Sequence, residues 1–236
     1  MKFGVVIFPG SNCDDDMLHV LGDVLQAEVI KLWHKDHDLK GLTTDDCIVI
    51  PGGFSYGDYL RSGAIARFSH VMTEVIKFAR EGGKVLGICN GFQILCEAGL
   101  LPGTLLKNEN QKFICKNIWL TPANNTTALT RDLDPNKVLK IPIAHADGRF
   151  YAQKEVLNEI EDNQQVLFRY CDATGEVITA ANPNGSLNNI AGICNKERNV
   201  FGMMPHPERA AEPLFGNTDG LEIFESLLEI QHARIS

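Results

Sequence analysis

The sequence lacks the features that mark several large classes of protein. No stretch of its 236 residues approaches the roughly 18 consecutive apolar residues of a membrane-spanning helix. It also contains no internal repeat, low-complexity tract or linker, so nothing points to a boundary between domains. We therefore expect a single globular domain over residues 1–236, a length that can stabilise its own core.

Positive charge is also scarce. The 22 Lys and Arg residues are outnumbered by 30 Asp and Glu residues, which gives a formal net charge of −8. An acidic surface is a poor partner for polyanions, so binding to nucleic acid or to an anionic membrane is not expected.

The first residues contain too few apolar positions for a secretory signal, and we expect the chain to stay in the cytoplasm.

Paired cysteines are missing as well. The chain has seven cysteines, an odd number, and no two form a C-x-x-C pair, so neither a disulfide framework nor a metal site is expected. In a reducing compartment most of them would be free thiols, several of them buried as small apolar residues. Cys89 is the one that its surroundings single out.

What the sequence does contain is an alternation of strand and helix patterns. Apolar, β-branched runs predict strands at residues 5–8, 29–33, 47–50, 84–88, 113–120, 138–145, 166–170, 190–193 and 199–204. Amphipathic patterns predict helices at residues 14–26, 68–80, 91–97 and 219–231. Near-continuous apolar strands are typical of parallel sheets covered on both faces. The predicted fold class is α/β, a mostly parallel central sheet with helices on both faces.

Cys89 lies where a buried strand meets a helix, in a Gly-x-Cys-x-Gly turn. Flanking glycines permit a sharp turn that holds one side chain above the sheet, as in a nucleophile elbow. A helix N-terminus favours the thiolate, which is the attacking species, and the Asn90 N–H would then face an oxyanion. A buried structural cysteine is the alternative that this segment alone leaves open.

A candidate base follows the last predicted strand. Pro207 biases His206 toward an extended conformation, in which residues two apart project to the same side, so Glu208 is predicted to lie beside the imidazole. A carboxylate there would orient the ring and stabilise its charged form. An isolated histidine is more often structural, but this pattern combined with an elbow cysteine is more specific.

The glycine-rich segment at residues 50–58 follows another predicted strand. Ligand sites in open α/β sheets form beyond the carboxyl ends of the strands, so this loop and Cys89 are expected to face one crevice. The backbone N–H groups of Gly53 and Phe54 are the predicted second half of an oxyanion hole. Taken alone, Pro-Gly-Gly is equally consistent with an ordinary turn.

Three of these segments together resemble the class I, or triad, glutamine amidotransferases. Along the chain they are the Pro-Gly-Gly loop, Gly-Ile-Cys89-Asn-Gly-Phe-Gln93 and His206-Pro-Glu208. Longer ones, such as Pro-Gly-Gly-Phe-Ser-Tyr-Gly-Asp58-Tyr-Leu-Arg61, narrow the resemblance to the glutaminase subunits of phosphoribosylformylglycinamidine (FGAM) synthases. The likeness runs from the first predicted strand to the last helix.

The resemblance implies a flavodoxin-like sandwich that hydrolyses L-glutamine to glutamate and ammonia through a thioester on Cys89. His206 would transfer the protons, with Glu208 as the third member of the triad. Gln93 and Gly52 would contact the substrate, although Gln93 is also consistent with a solvent-facing helix position. No cofactor is implied in this chain. ATP and Mg²⁺ would bind the synthetase subunit PurL, which makes FGAM for purine biosynthesis, with the small subunit PurS bridging the two.

One block departs from the pattern that the resemblance predicts. Ala146 and Asp147 stand after His145 where Gly and Glu are expected, which leaves the role of this loop open. Asp58 and Arg61 fit either a role in the site or an ordinary surface ion pair. Two other functions also stay open, a free-standing thiol hydrolase or peptidase and a non-catalytic regulatory paralogue. Residues near the glycine-rich loop and the His145 loop are the candidates for partner contact.

Overall fold

The computed structural model describes residues 1–228, which contain eleven strands and five α-helices. The strands are β1 (Phe3–Ile7), β2 (Val29–Trp33), β3 (Cys47–Ile50), β4 (Lys84–Ile88), β5 (Thr104–Leu106), β6 (Ile114–Pro122), β7 (Leu139–His145), β8 (Arg149–Tyr151), β9 (Val166–Cys171), β10 (Ile190–Cys194) and β11 (Val200–Met203). The helices are α1 (Asp14–His19), α2 (His70–Arg80), α3 (Asn90–Glu97), α4 (Lys154–Asp162) and α5 (Leu221–Leu228).

Nine of the described strands form one sheet in the order β2-β1-β3-β4-β11-β10-β9-β6-β7. The strands from β2 to β11 are parallel to their neighbours, whereas β10, β9, β6 and β7 pair in antiparallel fashion. β5 and β8 form a separate two-stranded sheet. The predicted α/β class is confirmed, and its parallel part is the half of the sheet that carries Cys89.

Two of the inner parallel strands are buried along their whole length, whereas the edge strand β2 is mostly half-buried or exposed. All four residues of β3 and all four of β11 are buried, which requires cover on both faces of the sheet. The register places Ile50 opposite Gly87, and Gly87 opposite Gly202. The carboxyl ends of β3, β4 and β11 therefore finish side by side, and the segments that follow them meet at one edge.

Several predicted elements match the structure and others differ. The strands predicted at residues 29–33, 47–50 and 84–88 have the observed bounds. The helix predicted from residue 14 to 26 is α-helical only through α1, after which Val20–Val24 forms a π-helical turn. β5, β8 and α4 were not predicted. The last predicted helix corresponds to α5, and its residues 229–231 lie outside the described residues.

One contiguous cluster of buried apolar side chains runs through the sheet, from Phe3 to Leu227. It contains side chains from both the parallel and the antiparallel strands, so the two halves of the sheet share a core. Within residues 1–228, no helix combines the length and apolar character that crossing a membrane requires.

Candidate active site

Cys89 occupies a strained turn between β4 and α3. Its backbone has φ 51° and ψ −104°, a region that residues with a β-carbon rarely adopt. The flanking glycines make the turn possible, since a β-carbon on Gly87 would lie 2.6 Å from the backbone of Gly91. The Cys89 N–H donates to the carbonyl of Met203 at 2.8 Å, which ties the turn to β11. The geometry is that of the predicted elbow.

His206 and Glu208 form a buried pair just beyond β11. Nδ1 of His206 lies 2.6 Å from Oε1 of Glu208, and because a carboxylate only accepts, Nδ1 is the donor. The two residues are 2% and 1% exposed. One part of the prediction is wrong, since Pro207–Arg209 is a 3-10 turn rather than an extended segment. The turn brings the carboxylate to Nδ1 at the edge of the ring, while the backbone N–H of His206 donates to Pro142 O at 2.9 Å.

The surroundings of His206 favour its charged form. Burial lowers the pKa of His206, but the carboxylate of Glu208 and then the thiols of Cys89 and Cys13 act in the opposite direction, and the pKa is raised well above its usual range. Nε2 of His206 is buried and has no hydrogen-bond partner within residues 1–228. The free nitrogen is thus the one available for a reacting group.

Gly52 separates the thiol from the imidazole. A β-carbon at this position would lie 2.7 Å from Cε1 of His206 and 3.4 Å from Cβ of Cys89, so only glycine leaves these two side chains where they are. Both line a cavity of about 310 Å³, a size that suits a small molecule. A larger surface cleft of about 690 Å³, near Trp119, contains neither of them.

The structure distinguishes the three predicted oxyanion donors. No acceptor among the described residues is assigned to the N–H of Gly53 or of Asn90, which leaves both groups free to donate. The prediction for Phe54 is not supported by this conformation, because its N–H already donates to Gly10 O at 2.9 Å. That hydrogen bond belongs to a bridge between Ser11 and Gly53, a long-range pairing that the loop sequence does not reveal.

Gln93 faces the interior rather than solvent. Its side chain is 6% exposed and lines the cavity with Cys89. Its amide oxygen accepts from Asn90 Nδ2 at 2.9 Å, and its Nε2 donates to the backbone carbonyl of Asp147 at 2.6 Å. Gln93 therefore connects α3 to the loop after β7, and the alternative of a solvent-facing residue is wrong.

Asp58 and Arg61 do not form an ion pair with each other. Arg61 pairs with Glu97, with 2.5 Å between Nη2 and Oε2. Asp58 accepts from the Gly63 N–H at 3.2 Å and from Asn90 Nδ2 at 3.3 Å, and it lines the cavity. Burial raises its pKa. Asp58 thus belongs to the lining of the cavity, whereas Arg61 belongs to the surface.

Sequence reasoning missed a second thiol in the cavity. Cys13 is 3% exposed, and its sulfur accepts a hydrogen bond from Arg209 Nη2 at 3.1 Å. Ligand atoms of Cys13, His206 and Glu208 all lie within 4.8 Å of one another, a spacing that a metal could use. Arg209 already supplies positive charge beside this sulfur, and Glu208 is engaged by His206. The signal that could have found Cys13 is its position after β1, at the same edge of the sheet.

Comparison with known proteins places this geometry in a family. Residues 1–225 match the model of the CobB/CobQ-like glutamine amidotransferase domain. The chain is 56% identical to phosphoribosylformylglycinamidine synthase subunit PurQ of Moorella thermoacetica, over 97% of this chain and 96% of that protein. It is 57% identical to the subunit of the same name from Nostoc sp., over 97% of both chains.

Solved structures agree with the sequence comparison. The structure of PurLQS from Thermotoga maritima contains a chain that matches with a TM-score of 0.84 at 42% identity, over 97% of both chains. The glutaminase domain of Trypanosoma brucei CTPS with bound acivicin matches with a TM-score of 0.59 at 10% identity, over 99% of this chain and 96% of that one, and supports the fold alone. The chain therefore belongs to the CobB/CobQ-like glutamine amidotransferase family.

Proposed function

We propose that this chain is one domain that acts as the glutaminase subunit of an FGAM synthase. It would hydrolyse L-glutamine and pass the ammonia to a separate synthetase subunit. The observation that carries the proposal is that His206, which is 2.6 Å from the buried Glu208, lines one cavity with Cys89 on its strained turn. The similarity to PurQ subunits supplies the identity of the reaction that consumes the ammonia.

The chemistry begins with the sulfur of Cys89. After His206 takes its proton, the sulfur attacks the carbonyl carbon of the glutamine side-chain amide and forms a tetrahedral intermediate. The N–H groups of Gly53 and Asn90 are placed to donate to its oxyanion. His206 returns the proton to the leaving nitrogen, the C–N bond breaks, and ammonia leaves a γ-glutamyl thioester.

Water completes the reaction. His206 removes a proton from a water molecule, which attacks the thioester carbonyl. His206 then returns that proton to the sulfur as the C–S bond breaks, which gives glutamate and the free thiol. Glu208 has no proton to transfer in this scheme. It holds Nδ1 of the ring, so that Nε2 faces the reacting atoms, and it stabilises the imidazolium that each step forms.

The ammonia must reach a partner. A second cavity, of about 380 Å³, adjoins the first and shares Asp58 and Gln93 with it. Beside it the apolar side chains of Tyr59 and Leu60 are 87% and 80% exposed. We propose that the surface around Tyr59 and Leu60 is the docking surface for the synthetase subunit.

The remaining assignments concern the rest of the complex. We propose that PurL binds ATP and Mg²⁺, that PurS bridges the two larger subunits, and that the complex works in the cytoplasm.

The test replaces the nucleophile in the reconstituted complex. Cys89→Ser is expected to abolish glutamine-dependent FGAM synthesis and to leave ammonia-dependent synthesis intact. Cys115→Ser, which changes an exposed thiol, is the matched control and keeps both activities. Intact-mass measurement is expected to detect a γ-glutamyl adduct on the wild-type chain and none on Cys89→Ser.

Other outcomes point elsewhere. Equal loss of both activities in Cys89→Ser contradicts the division of labour between the two subunits. Full turnover of a substrate by the isolated chain favours a free-standing thiol hydrolase or peptidase. Absence of both an adduct and glutamine-dependent synthesis, in an assembled complex that still uses ammonia, favours a non-catalytic paralogue.

A further inference from the structure

A second imidazole lines the cavity and has no role in the chemistry above. His145 ends β7 and is 3% exposed. The residue before it, Ala144, has its carbonyl 3.9 Å from the sulfur of Cys89. Nε2 of His145 is buried and has no hydrogen-bond partner within residues 1–228. A polar atom in that state is one that a ligand is expected to satisfy.

The proton on this ring is placed by Asn108, which is fully buried. Asn108 Nδ2 donates to the backbone carbonyls of Lys112 and His145, at 2.8 Å and 2.9 Å. Its Oδ1 accepts from the Gly148 N–H at 3.1 Å, so the orientation of the amide is determined by backbone groups alone. The same oxygen lies 3.1 Å from Nδ1 of His145, which must therefore be the donor.

The consequence is that Nε2 carries a lone pair rather than a proton. Burial lowers the pKa of His145 to about 4, and the nearby His206 acts in the same direction, so the ring stays neutral near pH 7. The two histidines of the cavity are thus opposite in character, since the surroundings of His206 favour the charged form. His145 can only accept a hydrogen bond at Nε2.

We infer that Nε2 of His145 accepts a hydrogen bond from the side-chain NH₂ group of glutamine and so distinguishes glutamine from glutamate. The inference rests on the proposed glutaminase function. A carboxamide presents N–H donors, whereas the carboxylate of glutamate presents only acceptors, which the lone pair repels. The same contact is lost once ammonia has left, which favours release of the product. His145 is a positioning and specificity residue and transfers no proton.

Binding in the complex tests this role, with Cys89→Ala present throughout so that bound glutamine is not consumed. His145→Leu is expected to weaken glutamine binding about tenfold, the effect of one lost hydrogen bond, and to leave glutamate binding unchanged or tighter. His145→Gln restores an acceptor and is expected to recover much of the preference for glutamine. The matched control His70→Leu alters an exposed histidine and leaves both affinities as they were.

A structural role would give a different result. If His145→Leu weakens glutamine and glutamate equally, the ratio of their affinities does not change and the inference is wrong. A second measurement does not depend on how the variant folds. With His145 intact, the γ-methyl ester of glutamate, which lacks the N–H donors, is expected to bind about tenfold more weakly than glutamine. Equal binding of the two overturns the inference.

The two proposals fail in different ways. Failure of the glutaminase function leaves the wild-type complex without a thioester adduct and without glutamine-dependent synthesis. Failure of the His145 assignment leaves the adduct and the synthesis intact, while the ratio of glutamine to glutamate affinity does not respond to residue 145.

Discussion

Replacing Gly52 with alanine tests the geometry of the site most directly. A β-carbon at residue 52 would lie 2.7 Å from Cε1 of His206, 3.1 Å from the sulfur of Cys13 and 3.4 Å from Cβ of Cys89. Gly52 is not among the residues with positive φ, so alanine brings no backbone strain of that kind. The whole effect of Gly52→Ala should therefore come from contact with these side chains.

The size of the effect follows from the distances. Ordinary contact for a β-carbon begins at 3.4 Å, so the ring of His206 must move by about 0.7 Å. A displacement of about 1 Å at a reacting group costs about 100-fold in rate. At about 0.7 Å that scale gives about 25-fold, so we expect Gly52→Ala to lower glutamine-dependent FGAM synthesis by about 25-fold, with a loss of stability of about 1–3 kcal/mol from overpacking.

The assay compares glutamine-dependent with ammonia-dependent synthesis in the reconstituted complex. Gly22→Ala is the matched control, because its β-carbon would have its nearest contact at an ordinary 3.7 Å, with Val29. This control should keep both activities, whereas Gly52→Ala should lose only the first. If Gly52→Ala stays within about threefold of the wild type with glutamine, the spacing of His206 and Cys89 does not depend on Gly52, and the reasoning is refuted.

Three further changes have definite expected outcomes. Glu208→Gln keeps the hydrogen bond but removes the charge that raises the pKa of His206, so burial dominates and this pKa falls. The stability that charged His206 contributes is fully present below its ordinary pKa, so the variant should lose more free energy of unfolding at pH 5 than at pH 8, which denaturation at the two pH values measures. Gly91→Ala drives a methyl group into the carbonyl of the neighbouring strand and should cost about 3 kcal/mol in urea denaturation. Tyr59→Ser with Leu60→Ser should weaken assembly with the synthetase about tenfold or more by calorimetry, and unchanged assembly would rule out this docking surface.

The parts of the fold that the sequence predicted are those whose signal is local. The strands at residues 29–33, 47–50 and 84–88 are short apolar runs with clear ends, and their bounds match the structure. α4 was missed although Ile160 is buried, because Val156, Leu157 and Ile160 are its only large apolar residues among charged and polar ones. Packing against residues that are distant in the sequence stabilises α4, and a short segment of sequence does not show that packing.

The same distinction applies to the site. The turn at Cys89 and the pair at His206 were predictable because each motif is a few residues long. Cys13 and its partner Arg209 are 196 positions apart, and Asn108 and His145 are 37 positions apart. Nothing in one short segment indicates such a contact. The fold creates these pairs by bringing the carboxyl ends of several strands to one edge of the sheet.

The departure at Ala146 and Asp147 shows which atoms of the loop after β7 matter. Ala146 is not among the residues with positive φ, so this position does not require glycine. Asp147 accepts the hydrogen bond of Gln93 through its backbone carbonyl, a contact that any side chain would leave in place. Gly148 is retained, and there a β-carbon would overlap the ring of His145. The Asp147 carboxylate also accepts a hydrogen bond from Ser62 Oγ at 3.1 Å, and Asp147 lines the cavity. The loop thus supports the site through its backbone, Gly148 and this carboxylate, and the two replacements leave His145 and Gln93 in position.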